Sequence, residues 1–557
     1  MELKRRQHYL VATFPFQGHI NPALHLAKHL ASVAPDAHVT FSTSLSAHRR
    51  MFPSSPDSHS DDLLTYAPYS DGFDDGVTGG ALGFNRYMVE FKASGSRTFS
   101  RLIADLAADG RPVTCVLYTM LLPWAADVAR DHGIPSFHYW IQPAAIFAIY
   151  YHYFHGYGAL VDAHREDPSF VVTLPGLPPL QIRDLPSFLT APADHPLNSV
   201  FTTLREGFAV LDWERNAPSL LRPRILVNTF DELEPRAIAA VPEVEILTIG
   251  PLIPSWSSSG GDIFKADDKG YGEWLDAKPE RSVVYVSFGS LHRCSVLELE
   301  KLAAGLEATG RPYLWVVRKD AREAAGAAGL ELEGPRGMVV EWCAQVRVLS
   351  HAAVGCFVTH CGWNSTLESL ACGVPTVGVP RLSDQLPNAK MAKDEWGTGV
   401  TAEIGADGVV AAEELRRSVE AVMGEESGEG MRKRAREWKE RARVAVSEGG
   451  SSDRNLRAFL GIRLLHGRFR NWLSLGQRLG SFARAGELLS GAQICSYVFC
   501  FTHHQGNSSV IVVCSLSESI DPEKSDSRSA KFRAVQFQSS LAFPGKFSLV
   551  LEEIELS

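Results

Sequence analysis

Short apolar runs alternate with helix-periodic stretches twice along this chain, and that alternation leaves few folds open. In the first half Tyr9–Phe14 reads as a buried strand. After Pro15-Phe16-Gln17-Gly18-His19, the segment Pro22–Leu30 repeats apolar residues every three or four positions, as a helix does. Pro22 suits the first turn of that helix. His38–Ser42, Val113–Leu117 and Ile225–Asn228 are further strand candidates, and Trp124–Arg130 is a helix candidate. The second half repeats the pattern, with strands at Ser282–Phe288, Tyr313–Val317, Cys356–Thr359 and Val374–Val379 and helices at Ser295–Thr309 and Ser365–Ala371. Strand–helix alternation predicts parallel, doubly wound α/β sheets that bind ligands beyond the carboxyl ends of their strands. A Pro-, Ser- and Gly-rich cluster, Pro251 to Gly261, reads as a linker between two such domains. The expected organisation is a first domain over 1–250, a linker over 251–265 and a second domain over 266–462. Residues 463–557 are Ser-rich and lose helical periodicity. Two β-prone runs flank the polar break His503-His504-Gln505-Gly506-Asn507 there, and a poorly ordered appended tail is expected.

Composition narrows the chemistry. At roughly 150 residues per domain, 557 residues hold two to four domains. With 55 Lys+Arg against 64 Asp+Glu, the net charge of −9 argues against nucleic acid as the partner. The basic stretch Met431–Val446 accordingly reads as a solvated helix face. Nine Cys are scattered without a CxxC pair, which fits reduced thiols better than a disulfide scaffold or zinc site. No run approaches the roughly 18 apolar residues of a membrane span, and the N-terminus lacks a signal-peptide core. A cytoplasmic protein without stable membrane insertion, and a monomer, is expected.

The most informative segment is Trp342 to Gln385, WCAQVRVLSHAAVGCFVTHCGWNSTLESLACGVPTVGVPRLSDQ. A strand ending at Thr359 delivers His360-Cys361-Gly362-Trp363-Asn364-Ser365 to a helix N-terminus, where backbone N–H groups and the helix dipole favour an anion. Taken alone, this turn reads equally as a diphosphate cradle and as a helix capped by Asn or Ser. The whole segment resembles the donor-binding box of plant family-1 UDP-glycosyltransferases at nearly every diagnostic position. That resemblance implies the GT-B fold, two facing Rossmann-like domains with acceptor held by the first and UDP-sugar by the second. It implies that Trp342 stacks on uracil, with Cys343 beside it in the box. It further implies that Gln345 and Glu368 hold the ribose, that His360, Asn364 and Ser365 bind the diphosphate, and that Trp363, Asp384 and Gln385 contact the sugar. Ser290, in Ser287-Phe288-Gly289-Ser290, is a further phosphate-side candidate. Gln385 favours glucose, although Arg381 and Leu382 stand where Gln and an aromatic are commoner. Gly250-Pro251-Leu252 resembles the start of the family's linker, and Gly449-Gly450-Ser451-Ser452 with Asn455–Leu460 resembles its closing helix. The resemblance covers about residues 7–462.

In the same family the His of a Gly-His-x-x-Pro pattern, here Gly18-His19-Ile20-Asn21-Pro22, is the general base, a task that suits a neutral imidazole. Its usual Asp partner stands in a Tyr-Asp-x-x-x-x-Trp context. This chain has Tyr118-Thr119-Met120-Leu121-Leu122-Pro123-Trp124, so Thr119 occupies the carboxylate's position. A hydroxyl can orient an imidazole but cannot neutralise its cation. Ile141 stands where many relatives place a Thr near the sugar, and Asp127 is expected at solvent or in a salt bridge. The substitution favours an acceptor that is already acidic, a carboxylic acid giving a glucose ester, with UDP-glucose as co-substrate. An anthocyanidin or flavonoid O-glucoside is the alternative product, and a non-catalytic UDP-sugar-binding protein is the reading from another class. No metal or other cofactor is required, since the helix N-terminus and His360 would meet the charge of UDP. The acidic run Asp71-Gly72-Phe73-Asp74-Asp75 reads as a surface loop. The acceptor pocket is expected near Phe84, Tyr139 and Tyr151.

Overall fold

A computed structural model describes residues 6–53, 59–60, 63–76, 83–192, 194–217, 222–254, 269–324, 326, 329–461, 482–487, 496–505, 508–518, 530–540 and 548–554. The chain divides into two compact units, Met1–Trp213 with Pro223–Arg457, and Glu214–Arg222 with Ala458–Ser557. The first unit holds both sheet domains. The linker expected over 251–265 lies, from residue 255 on, outside the described residues.

The first domain's sheet runs in the order Glu245–Thr248, Arg224–Val227, Ser136–Trp140, Cys115–Thr119, His8–Ala12, His38–Ser42, Thr65–Tyr66, His59–Ser60. Only its last pairing is antiparallel. The chain builds outward from His8–Ala12 on one side and then restarts beside it at Cys115–Thr119, which places the topological switch point between those two strands. The second sheet is wholly parallel, in the order Gly337–Val340, Tyr313–Val316, Val283–Ser287, Val354–Thr359, Thr376–Gly378, Gly399–Thr401. Counted along the chain this is 3-2-1-4-5-6, the dinucleotide-fold order, with its switch point between Val283–Ser287 and Val354–Thr359.

The apolar continuity of these strands has a simple cause, because helices cover both faces. Alternate residues of the central strand enter opposite cores. Val284 and Val286 meet Leu299, Leu302 and Leu415, while Val283 and Tyr285 meet Val346, Leu349 and Phe357. The helix Glu429–Val446 has the solvated character its charge predicts, with Arg432 and Arg436 paired to Glu429 and Arg443 to Glu440. The first unit's last residues, helical over 451–457, pack on the first domain, where Asn455 Nδ2 donates to Thr248 O at 3.0 Å and Ser451 Oγ to Glu232 Oε2 at 3.0 Å.

Two local expectations are corrected in detail. The first helix spans Gln17–Val33, so Pro22 lies in its interior and not its first turn. The acidic run 71–75 is a loop with Gly72 and Asp75 exposed, as expected, but Asp71 itself is buried and holds the loop by accepting from Phe73 N at 2.9 Å and Tyr87 Oη at 3.1 Å. Of the tail expected over 463–557, the described residues form an antiparallel meander of Phe482–Glu487, Ser496–Gln505, Ser508–Glu518, Ala530–Ser540 and Ser548–Ile554, and the segments between these strands lie outside the described residues. The two runs flanking the polar break are neighbours in that sheet.

Candidate functional site

The carboxyl ends of the two strands at the second switch point lead directly into Phe288-Gly289-Ser290 and His360-Cys361-Gly362. His360 fits between the two glycines. A Cβ on Gly289 would lie 2.7 Å from its Cε1 and Nε2, and one on Gly362 2.5 Å from Nε2, so only glycine admits the ring. Gly289 also has φ +74°, and Cys361, at φ 63°, turns the backbone through the left-handed region. The helix that follows, Trp363–Cys372, has Gly362 as its N-cap and no side-chain cap. Asn364 and Ser365 are therefore not caps but residues of the first turn. The amides at that N-terminus carry the partial positive charge expected of an anion site. Burial, and then the neighbouring His292, push the His360 pKa down to about 4, so the imidazole is neutral.

Behind this turn lies a polar network that fixes the ribose candidates. Tyr285 Oη donates to Gln345 Oε1 at 3.1 Å, and Gln345 Nε2 donates to Ser365 Oγ at 2.8 Å and Glu368 Oε2 at 2.6 Å. Tyr285 was not anticipated. On the central strand its position reads simply as core, and only its hydroxyl distinguishes it. Cys343 turns inward, its Sγ 3.4 Å from Tyr285 Oη, so its side chain does not face the cleft, whereas Trp342 beside it is partly exposed.

Trp363 is also turned away. Its indole is 3% exposed and donates from Nε1 to Asn228 O of the first domain at 2.8 Å. Its backbone N–H donates to the Asp384 carboxylate, so neither end of Trp363 faces a ligand directly. Asp384 and Gln385 open the helix Gln385–Asp394, Asp384 as its N-cap. Asn388 Nδ2 donates to Asp384 Oδ2 at 2.7 Å, and burial raises the Asp384 pKa. Gln385 Oε1 accepts from Arg381 N at 2.9 Å and Leu382 N at 3.1 Å. With its oxygen engaged, the amide NH2 is the end that can address a ligand hydroxyl.

At the first switch point His19 is the third residue of its helix, with its backbone tied to the strand end by Thr13 Oγ1, which donates to His19 O at 3.0 Å. Its Nδ1 is buried with no hydrogen-bond partner, and burial lowers its pKa to about 4. Thr119 is fully buried and bonded elsewhere, with Oγ1 3.2 Å from Thr13 Oγ1 and accepting from Phe14 N at 3.4 Å. It reaches the His19 backbone through Thr13, not the imidazole. Ile141 is buried, and Asp127 pairs with Arg130 as expected. Aromatic rings gather beside His19: Phe14 lies 5.4 Å from it, Phe14 and Phe16 are 4.7 Å apart, and Phe84 adjoins Phe16 and Tyr87. Tyr139, by contrast, is core, and its hydroxyl donates to Pro22 O at 3.4 Å.

The two switch points touch. Pro22 has no N–H to give to the carbonyl four residues back, that of Gly18. Asn364 Nδ2 of the second domain donates to Gly18 O instead, at 2.9 Å. A narrow crevice adjoins this contact, lined by Asn21, Pro22 and His25 on one side and Asn364, Leu367 and Glu368 on the other. Among the described residues one group, His292, Cys294 and Glu298, brings candidate metal-ligand atoms within 4.8 Å of one another. Glu298 already pairs with Arg381 at 2.6 Å, and this guanidinium makes the group an ion-pair centre and not a cation site.

Residues 251–432 match the family described as UDP-glucoronosyl and UDP-glucosyl transferase. UDP-glycosyltransferase 75C1 of Solanum lycopersicum is 46% identical over 469 residues, which cover 81% of this chain and 98% of that protein. A chloroplastic crocetin glucosyltransferase of Gardenia jasminoides is 44% identical, over 82% of this chain and 97% of its own. The crystal structure of Os79 from O. sativa in complex with UDP superposes with a TM-score of 0.70 at 31% identity, covering 82% of this chain and all (100%) of that one. The architecture is thus GT-B, two Rossmann-like domains, and the chain belongs to the plant family-1 UDP-glycosyltransferases.

Proposed function

We propose that the enzyme transfers glucose from UDP-glucose, with inversion, to a small acceptor whose reacting oxygen is already acidic. A carboxylic acid giving a glucose ester fits best. The observation that carries this reading is His19: its Nδ1 has no partner and its pKa is pushed down to about 4, while Thr119 stands where the family resemblance places a carboxylate. An imidazole of that pKa is a poor match for an alcohol at neutral pH. A carboxylic acid, ionised above a pKa of roughly 4–5, needs no proton removed.

In the proposed reaction the acceptor oxygen attacks the anomeric carbon, and the bond to the β-phosphate oxygen breaks with the electron pair leaving on UDP. With a phenol, the acceptor proton passes to the Nε2 of His19. The departing charge meets the first-turn amides of Trp363–Cys372, with Ser290, His360, Asn364 and Ser365 around it. Trp342 would roof the uracil, while Gln345 and Glu368 would take the ribose hydroxyls and Asp384 and Gln385 the sugar. No metal enters the scheme. We further propose action as a monomer in the cytoplasm. Among the described residues no helix is long and apolar enough to cross a membrane.

The aromatic group Phe14, Phe16, Phe84 and Tyr87 beside His19 favours a planar acceptor, which keeps an anthocyanidin or flavonoid hydroxyl as the second reading. Incubation with UDP-glucose and a panel of acids and phenols decides between them, because mild alkali cleaves an ester and spares a glucoside. Thr119→Asp should raise turnover on phenols and alcohols by about tenfold, by stabilising the imidazolium, and leave that on carboxylic acids unchanged. An equal gain on both would refute the acidic-acceptor reading. UDP-glucose binding without turnover on any acceptor would support the non-catalytic one.

A further inference from the structure

Glu298 is 5% exposed and sits in the first turn of the helix Val296–Ala308, whose N-cap Ser295 receives the Glu298 N–H. Two loops of the donor site converge on its carboxylate. Arg381 Nη2 donates to Oε1 at 2.6 Å, and His292 Nε2 lies 3.2 Å from Oε2. The Arg381 guanidinium also reaches Gly408 O, so its backbone is held in place, and that backbone's N–H is one of the two that orient the Gln385 amide. On the other side Arg318 Nη1 donates to Gly289 O at 2.9 Å and His292 O at 3.4 Å, fixing the loop that carries Ser290.

We infer that Glu298 is a positioning residue for the donor sugar, setting through Arg381 and His292 the distance between the sugar-side amide of Gln385 and the phosphate-side loop at Ser290. The inference rests on the UDP-glucose reading above. It assigns a purpose to Arg381, which departs from the commoner family residue. An exposed pair would have little leverage, but here removing one partner leaves the other charged group largely buried and uncompensated, so the loops must shift. A displacement of about 1 Å at a reacting centre is enough to cost orders of magnitude in rate. The pyrimidine end, built on Trp342, Gln345 and Glu368, shares none of these bonds.

The test compares sugar and nucleotide recognition. Arg381→Gln and Glu298→Gln should each raise the KM for UDP-glucose about tenfold, while the Kd for UDP measured by calorimetry stays within about threefold. Arg381→Lys should recover part of the loss. The double variant, which leaves no unpaired charge, should be less impaired than the product of the two single effects. Should a single variant fail to fold, the double variant carries the same KM-against-Kd comparison. Kd and KM rising together, or single effects that simply multiply, would overturn the inference. A wild-type protein that binds UDP while its variants keep their KM would overturn it alone. A wild-type protein that binds no UDP would overturn the donor reading as well.

Discussion

After Val354–Thr359 the second domain places a left-handed Cys361, then Gly362, then a helix without a side-chain cap. After His8–Ala12 the first domain places Thr13-Phe14-Pro15-Phe16, and its hydroxyls at Thr13 and Thr119 are occupied with one another and with the backbone. Both turns stand at a switch point of a parallel sheet, so topology alone predicts a ligand at each. The chemistry differs. One end offers a helix N-terminus, a neutral His360 between glycines and a set of amide and carboxylate side chains already aimed, all suited to an anionic, hydroxyl-rich ligand. The other offers one buried imidazole and a wall of rings, suited to an apolar molecule with a single reactive oxygen. That asymmetry fits a transferase whose donor is a charged UDP-sugar and whose acceptor is the planar, acidic molecule proposed above.

The sharpest way to break the comparison is His19→Ala. Removing a general base typically costs about 10³-fold, so kcat/KM on phenols should fall by that order while UDP affinity stays within about twofold. A parallel loss of UDP binding would mean that the two switch points are not chemically separate. Trp342→Ala is the reciprocal experiment. Loss of one base–aromatic stack should weaken UDP about tenfold or more, with no change in acceptor preference.

The second switch point was legible because its chemistry is local. Trp342 to Gln385 is a continuous stretch, and nearly every group that faces the cleft sits within it. Even so, adjacency misleads about individual side chains. Cys343 and Trp363 belong to the same stretch, yet the first bonds Tyr285 in the core and the second bonds the Asn228 carbonyl across the domain boundary. Tyr285, Glu298 and Arg318 were hidden for the opposite reason: each reads as an ordinary strand or helix residue until the fold brings a distant partner to it. The first switch point showed only His19. Its surroundings include Thr119, a hundred positions along the chain and bonded to Thr13 and Phe14 only in the finished sheet. The meander of the tail was half legible, in its two β-prone runs, but not its remaining strands.

Protonation sharpens the comparison further. The folded protein holds His19, His25 and His360 neutral to about pH 4 and His138 to about pH 3, all by burial, against an ordinary value of 6.5. Their contribution to stability is complete above pH 6.5 and is lost as the pH falls toward 4, because the unfolded chain takes up protons that the folded chain cannot. Thermal midpoints should therefore decline across that window. Transfer to phenols should not show a limb near 6.5, since His19 remains able to accept a proton until about pH 4, provided the assay stays below the thermal midpoint. A limb centred near 6.5 would show that the imidazole is hydrated or paired in solution and would remove the main support for an acidic acceptor.

The smallest expected effect concerns the bond that joins the two sites. Proline in a helix interior costs roughly 3 kcal/mol or more, so Pro22 is expensive to keep where it is. What it provides is a Gly18 carbonyl free of the helix ladder, and Asn364 takes that carbonyl from the donor side. An Asn amide has two N–H groups, so one can hold Gly18 while the other meets a phosphate oxygen, and donor occupancy and placement of the His19 turn become linked. Pro22→Ala supplies the missing N–H to the same carbonyl. It should raise the thermal midpoint and lower kcat/KM about threefold, the usual direction when a strained functional element is relaxed. The UDP affinity of the free enzyme should not change, but the factor by which UDP alters acceptor affinity should shrink. Asn364→Ala should lose that coupling too, without the gain in stability. If Pro22→Ala is stabilised and equally coupled, the Gly18 oxygen accepts both donors at once, and the proline serves the backbone path of the helix rather than communication between the domains.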